Sequence, residues 1–389
     1  MADEAANKVH KVGKILFYIV LLIELGIVLI DKSAYINPIE GRLFQITFLL
    51  CMVKIGITKY SLKEWLVMAT FFLLGAISYF VTGRNEIIRI VAFVAAAKDI
   101  PVKQALKVTF YVTLVGVLCL MGMSLFGIMG SLYMEADFGR GTIERRYCLG
   151  LGHPNALHCM IWALVTLGIY LYMEKIRWYH YLILFLGNIG LYLLTVSRTG
   201  ALVTAFTILL GLIFTVFPFL KEKRWIYIAG MTGAAFCVLF SLLAAAKGHD
   251  WKFLEWVDRY VTNRILFANY YTGMDKWSVF SDPSATSYQD MGFVRLFYWY
   301  GIIPGIVYLT VKGIHFFYCY KKKDAAAFLV ITMFVLYTVF EAHAISVYLA
   351  RDYALLLFIG TWSDIFGLRS ETEGYFWQPY RFLGRQVSS

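Results

Sequence analysis

Charge is scarce in this chain: 16% of its 389 residues are Asp, Glu, Lys or Arg, against 60% that are hydrophobic. Such a balance, with a mean hydropathy of +0.66, excludes a soluble globular protein. Cysteine is sparse too. The six present include no pair at metal-ligand spacing, and only Cys148 lies in a clear loop, so neither a disulfide framework nor a zinc site is indicated. No internal repeat and no low-complexity segment is visible. The net charge of +11 is spread over short loops, which speaks against nucleic acid as a partner.

What remains is apolar sequence in long runs. Twelve candidate spans are read at 15–30, 43–57, 62–81, 86–98, 106–128, 155–173, 178–196, 200–220, 225–246, 293–318, 325–342 and 347–366. Crossing a bilayer core of about 30 Å takes roughly 20 helical residues. The expected fold is therefore all-α, a polytopic transmembrane bundle forming one membrane domain over 1–389. The first run follows Lys8, Lys11 and Lys14 but precedes no small-residue cleavage site, so it reads as a retained helix.

The two kinds of cation sort to opposite sides. With the N-terminus in the cytoplasm, most lysines fall in inner loops, among them Lys59, Lys63, Lys103, Lys175 and Lys221. This is the positive-inside bias, and it places both termini in the cytoplasm. Arginine runs the other way: Arg42, Arg84, Arg140, Arg145, Arg146, Arg198, Arg259, Arg264 and Arg351 fall outside, and Arg295 opens the tenth span there. Guanidinium groups bind phosphates through paired donors, whereas lysine acts as a point charge. An Arg-rich outer face suggests a phosphate-bearing ligand; the alternative is binding of lipid headgroups.

Two outer loops, 131–154 and 247–292, are long enough to build a site. In the second, Phe253, Trp256, Val257 and Tyr260 share one helical face, with Lys252, Glu255, Arg259 and Thr262 opposite. That is the pattern of an amphipathic helix lying in a membrane surface.

The chain is organised around Ser197-Arg198-Thr199-Gly200, a turn between the apolar stretches 179–196 and 201–220. A guanidinium there calls for an anionic ligand, or else snorkels to headgroups. Three further clusters carry possible chemistry. Arg145-Arg146-Tyr147 with Gly150-Leu151-Gly152-His153-Pro154-Asn155 reads as an anion site at a helix N-terminus, or as a plain loop-to-helix junction. In Tyr288-Gln289-Asp290-Met291-Gly292 with Arg295, Asp290 is a general base, a sugar-hydroxyl acceptor or a helix cap. Glu341, His343 and Arg351 form the last cluster, and could pair with one another at the surface.

These residues resemble the bacterial O-antigen, capsule and exopolysaccharide polymerases and the related O-antigen ligases. The resemblance rests on Arg146 with Gly152-His153-Pro154-Asn155, on Thr195 to Gly200, and on Asp290 to Leu296 through Tyr300-Gly301-Ile302-Ile303-Pro304. It implies a C-type, inverting, metal-independent membrane glycosyltransferase without cofactor, in the bacterial cytoplasmic membrane. Its substrates would be glycans carried on undecaprenyl pyrophosphate, both as donor and as acceptor, with membrane lipids, a chain-length regulator and a repeat-unit flippase as further partners. Arg145, Arg146, Arg198, Arg264 and Arg295 would hold the pyrophosphate, Asp290 or His153 would serve as base, and Tyr288 and Asn155 would meet sugar. The ligases place a His where counting back from Gly301 gives Asp290, which favours a polymerase. A flippase, the other alternative, would place ionisable groups deep in its spans; Glu24 and Lys54 lie there, but most charge is in outer loops.

Overall fold

A computed structural model describes residues 2–33, 35–138 and 141–358. The apolar runs fold as helices, α1 (Ala2–Lys32), α2 (Glu40–Gly56), α3 (Leu62–Thr82), α4 (Glu86–Ala96) and α5 (Val102–Leu125), then, past a β hairpin, α6 (Pro154–Tyr172), α7 (Trp178–Thr195), α8 (Arg198–Val216) and α9 (Arg224–Lys247). Among the described residues eight helices are long and apolar enough to cross a membrane. They are α1, α3, α5, α6, α7, α8, α9 and the helix Ile302–Lys322. Large apolar side chains such as Leu66, Phe80, Leu193 and Phe236 stand exposed on their flanks, the surface that lipid rather than water would cover. The chain is a polytopic membrane protein.

Other runs among the twelve expected spans fold as shorter or divided helices. α2 has 17 residues and α4 has 11, short of the roughly 20 that a perpendicular crossing takes. The tenth run is two helices, α12 (Gly292–Tyr300) and α13 (Ile302–Lys322). They part at Gly301, whose φ is +97°. A Cβ there would stand 2.6 Å from the Phe280 Cα, so only glycine fits the backbone in this place. The eleventh run gives the 14-residue α14 (Ala325–Thr338). Of the twelfth, residues 359–366 lie outside the described residues, as does Arg140.

The two long loops are more ordered than an all-α reading allows. In 131–154, β1 (Tyr133–Asp137) pairs antiparallel with β2 (Ile143–Tyr147), Met134 opposite Arg146 and Glu135 opposite Arg145. In 247–292 the amphipathic stretch forms α10 (Lys252–Val261), with Phe253, Trp256 and Tyr260 exposed and Leu254 and Asp258 buried. α11 (Arg264–Thr272) follows at once. Asp258 fixes the turn between them by accepting the Ile265 and Leu266 backbone N–H groups at 2.8 and 2.9 Å.

α6 is the buried axis, packing against α5, α8 and α14. Trp162 stacks on Tyr337 with centroids 4.2 Å apart and donates to Thr207 Oγ1. One turn after its start, α6 also pins the α7–α8 hairpin. The His158 ring bonds Thr195 Oγ1 and Asn188 Oδ1, each at 3.0 Å. A Cβ on Gly200 would lie 2.8 Å from that ring, which is why the turn carries glycine at its fourth position. Elsewhere in the bundle, Glu24 of α1 meets Arg89 of α4 at 3.4 Å and accepts the Thr47 hydroxyl of α2 at 2.7 Å.

Candidate functional site

The loops 131–154 and 247–292, the α7–α8 turn and the segment after α14 meet at one end of the bundle and enclose two neighbouring cavities. The first, of about 300 Å³, is lined by Arg146, His153, Asn155, Arg198, Arg264 and Asp290, together with Asp137 and Thr262. The second, of about 350 Å³, is lined by Lys32, Asp31, Tyr288, Arg295, Trp299 and Arg351. His153 lines both. Of the nine residues given a base, pyrophosphate or sugar role in the sequence, all but Arg145 line one cavity or the other. Arg145 instead points away on the hairpin, exposed and paired with Glu135 at 2.6 Å.

The α6 N-terminus positions His153. Gly152 N–H donates to the Lys32 carbonyl at 2.9 Å, tying the glycine-rich loop to the end of α1. Pro154 then opens α6, and the Asn155 N–H donates to His153 Nδ1 at 3.1 Å. A nitrogen that accepts a hydrogen bond carries no proton, so the neutral ring bears its hydrogen on Nε2. Burial holds the imidazole below its ordinary range; Asp290 opposes that, and Arg146 and Arg264 add to it. The ring thus offers a donor at Nε2.

The three guanidiniums of the first cavity differ in how far their charge is met. Arg264 is buried and its charge is fully compensated. It pairs with Glu341 at 2.8 Å and Asp290 at 3.4 Å, and donates to the Phe340 carbonyl. Burial alone would lower its pKa, but the two carboxylates more than reverse this and raise it. The Glu341 carboxyl is pushed up by burial, with Arg264 pulling the other way. Arg146, on β2, is held by Glu144 through Nε and Nη2 at 2.9 and 2.7 Å, its plane 3.8 Å over the Phe138 ring. Arg198 is exposed at the first position of α8, where it adds to the positive end of the helix dipole. Among the described residues it makes no ion pair.

Two expectations about neighbours fail. Asp290 does not cap α12, whose cap position is Met291 with no side-chain bond; its carboxylate turns to Arg264 because that buried cation needs compensation. Nor do Glu341, His343 and Arg351 pair with one another. Glu341 goes to Arg264, Arg351 to Asp31, and His343 is buried against Trp162 and Tyr337. Sequence reading gave no site role to Lys32 and Asp31. Their signal was a charged pair at the C-terminal end of the first span, weak because α1 meets the later loops only in three dimensions. Among the described residues no three His, Cys, Asp or Glu are grouped to hold a metal ion.

Comparison with protein-family models, with curated proteins and with solved structures finds no match.

Proposed function

We propose that this protein is an inverting membrane glycosyltransferase that joins lipid-pyrophosphate-linked oligosaccharide repeat units into a polysaccharide. The reading is supported above all by the first cavity, which sets an uncompensated guanidinium, Arg198, beside a carboxylate, Asp290, at the end of an apolar bundle. The cavities face outward from the cytoplasmic membrane and both termini lie in the cytoplasm, following the lysine bias. Shorter helices such as α2, α4 and α14 then complete the count of twelve passages by tilting or by local thinning of the bilayer.

In the reaction, an acceptor-sugar hydroxyl attacks the anomeric carbon of the donor glycan. The new C–O bond forms as the bond to pyrophosphate breaks, in one displacement that inverts the anomeric centre. Asp290 takes the hydroxyl proton, and Arg264, 3.4 Å away, holds its carboxylate in place. The pyrophosphate leaves with its electron pair, and fixed cations lower the barrier by meeting the charge it gains. Arg198 is the one free to do so with two parallel donors. His153 contributes its Nε2–H as a neutral donor, and Tyr288, exposed at the rim of the second cavity, gives a sugar a face to stack on.

The deciding experiment incubates the purified protein with lipid-linked repeat units and separates the products on a gel. A ladder of repeat-unit spacing is expected. Transfer of a single unit to a different lipid acceptor would instead make the protein a ligase, and recovery of unchanged substrate would overturn the transferase reading.

A further inference from the structure

Among the described residues no carboxylate pairs with Arg198 to aim its exposed side chain. Its direction is set by the backbone that carries it, and only Val196 and Ser197 separate it from the end of α7. That backbone is not relaxed. Val196 sits at φ +50°, a left-handed geometry that a β-branched residue rarely takes and that persists only where its surroundings impose it.

The surroundings are three buried polar side chains, His158 of α6 with Asn188 and Thr195 of α7. Asn188 Nδ2 donates to the Ala201 carbonyl at 2.9 Å, which turns Oδ1 to the imidazole. A carbonyl oxygen only accepts, so the ring donates to it from Nε2–H, at 3.0 Å. On the other side Nδ1 lies 3.0 Å from the Thr195 hydroxyl, whose oxygen accepts the Ser197 N–H at 3.3 Å. The bonds that start at His158 thus end on the backbone just before Arg198 and three residues after it. His158 ties both to α6, the helix that also carries His153 and Asn155 into the first cavity.

We propose that His158 is a positioning residue, which through Asn188 and Thr195 fixes the α7–α8 turn so that Arg198 presents its guanidinium to the pyrophosphate. The inference rests on the transferase reading for the identity of that ligand. A cation without a carboxylate partner meets developing charge well only if the frame beneath it is rigid, and this cluster supplies the frame from below the membrane surface. Polar residues also join helices in a bilayer without any part in chemistry; a role of that kind would act on stability and not through Arg198.

The test titrates the full chain, purified in detergent, with undecaprenyl pyrophosphate and follows its unfolding midpoint alongside. His158→Leu, which removes both ring bonds, should weaken binding on the order of tenfold to a hundredfold. His158→Gln, which keeps a donor for Asn188 Oδ1, should recover most of that loss. With Arg198→Ala already in place, His158→Leu should change affinity by no more than about twofold. Should His158→Leu not fold, Thr195→Val, close in shape and lacking only the hydroxyl, is compared in the same two backgrounds. Equal weakening in both backgrounds would mean that His158 does not act through Arg198, and a lowered midpoint with unchanged affinity would leave it a helix–helix bond alone; either result overturns the proposal. The expected pattern of affinities without a ladder from lipid-linked repeat units would support the positioning role and overturn the transferase reading. Binding that Arg198→Ala leaves unchanged, or no binding by the wild type, would overturn both.

Discussion

Arg89 and Arg198 are both guanidiniums carried by helices of an apolar bundle, and the protein treats them in opposite ways. Arg89 is closed in. It pairs with Glu24, donates to the Val347 carbonyl at 3.0 Å and lies 3.6 Å from the centroid of the Phe44 ring. Arg198 is exposed in its cavity and, among the described residues, makes no ion pair. Between them stands Arg264, buried like Arg89 but paired with a carboxylate, Asp290, that also lines the cavity. The contrast separates charges that hold helices together from charges left open for a ligand. Hydropathy does not distinguish them, because each is one Arg in or beside an apolar run; only the Ser197-to-Gly200 turn marks Arg198.

Substitutions can break that contrast. The largest effect on turnover is expected at Asp290. Asp290→Asn removes the proton acceptor while Glu341 still compensates Arg264, so polymer formation should fall on the order of a hundredfold to ten-thousandfold, with membrane abundance unchanged. Polymer at the wild-type rate would take the base role away from Asp290. At Arg89 the effect should appear in stability. Arg89→Met leaves Glu24 buried and unpaired, a loss of about 3–5 kcal/mol, read as a lower unfolding midpoint in detergent. Adding Glu24→Leu should recover most of it, and failure of the double substitution to do so would mean that the pair is not what ties α1 to α4.

A smaller effect is expected at His153. His153→Ala removes a helix cap, a cost of about 1 kcal/mol, whereas His153→Asn keeps both an acceptor for the Asn155 N–H and a donor for the cavity. The pH dependence follows from the lowered pKa. The unfolded chain binds the proton more readily than the folded one, so stability rises with pH. The contribution is complete above about pH 6.5 and declines as pH falls below it. The difference in unfolding midpoint between wild type and His153→Asn should therefore depend on pH only on that acid side; a difference that grew above it would reverse the assignment of a neutral ring. The smallest effect is expected from chelators. With side-chain cations stabilising the leaving pyrophosphate, turnover should persist within about twofold in their presence. Loss of turnover that magnesium or manganese restored would recast Asp290 as a metal ligand.

Much of the bundle is legible because hydropathy reports burial in lipid directly: α1, α3 and α5 to α9 each sit on a recognised run. The breaks are less so. Gly301 is one residue in an otherwise continuous apolar stretch, and only the nearness of Phe280 makes its backbone special. The β hairpin had a local signal in the glycines at 139 and 141 between two short runs, but one masked by the charges of Glu135, Glu144, Arg145 and Arg146. The cavities show the same division. Arg146, His153, Arg198 and Asp290 stand in recognisable motifs. Lys32 and Glu341 do not, because their roles come from partners far away in the chain, and Arg145 and Arg146 cannot be told apart until strand alternation sends one outward and the other into the cavity.

The most direct measurement is made on Arg198, with polymer length and membrane abundance followed together for Arg198→Ala and Arg198→Lys. Loss of the paired donors that meet a leaving pyrophosphate should cost on the order of 3 kcal/mol, about a hundredfold or more in rate. Alanine should then abolish polymer and lysine, which keeps the charge but not the bidentate geometry, should restore little of it, both at normal abundance. Near-normal polymer from Arg198→Lys, with alanine lowering abundance rather than turnover, would mark Arg198 as a residue that snorkels to lipid headgroups and contradict its role in the chemistry.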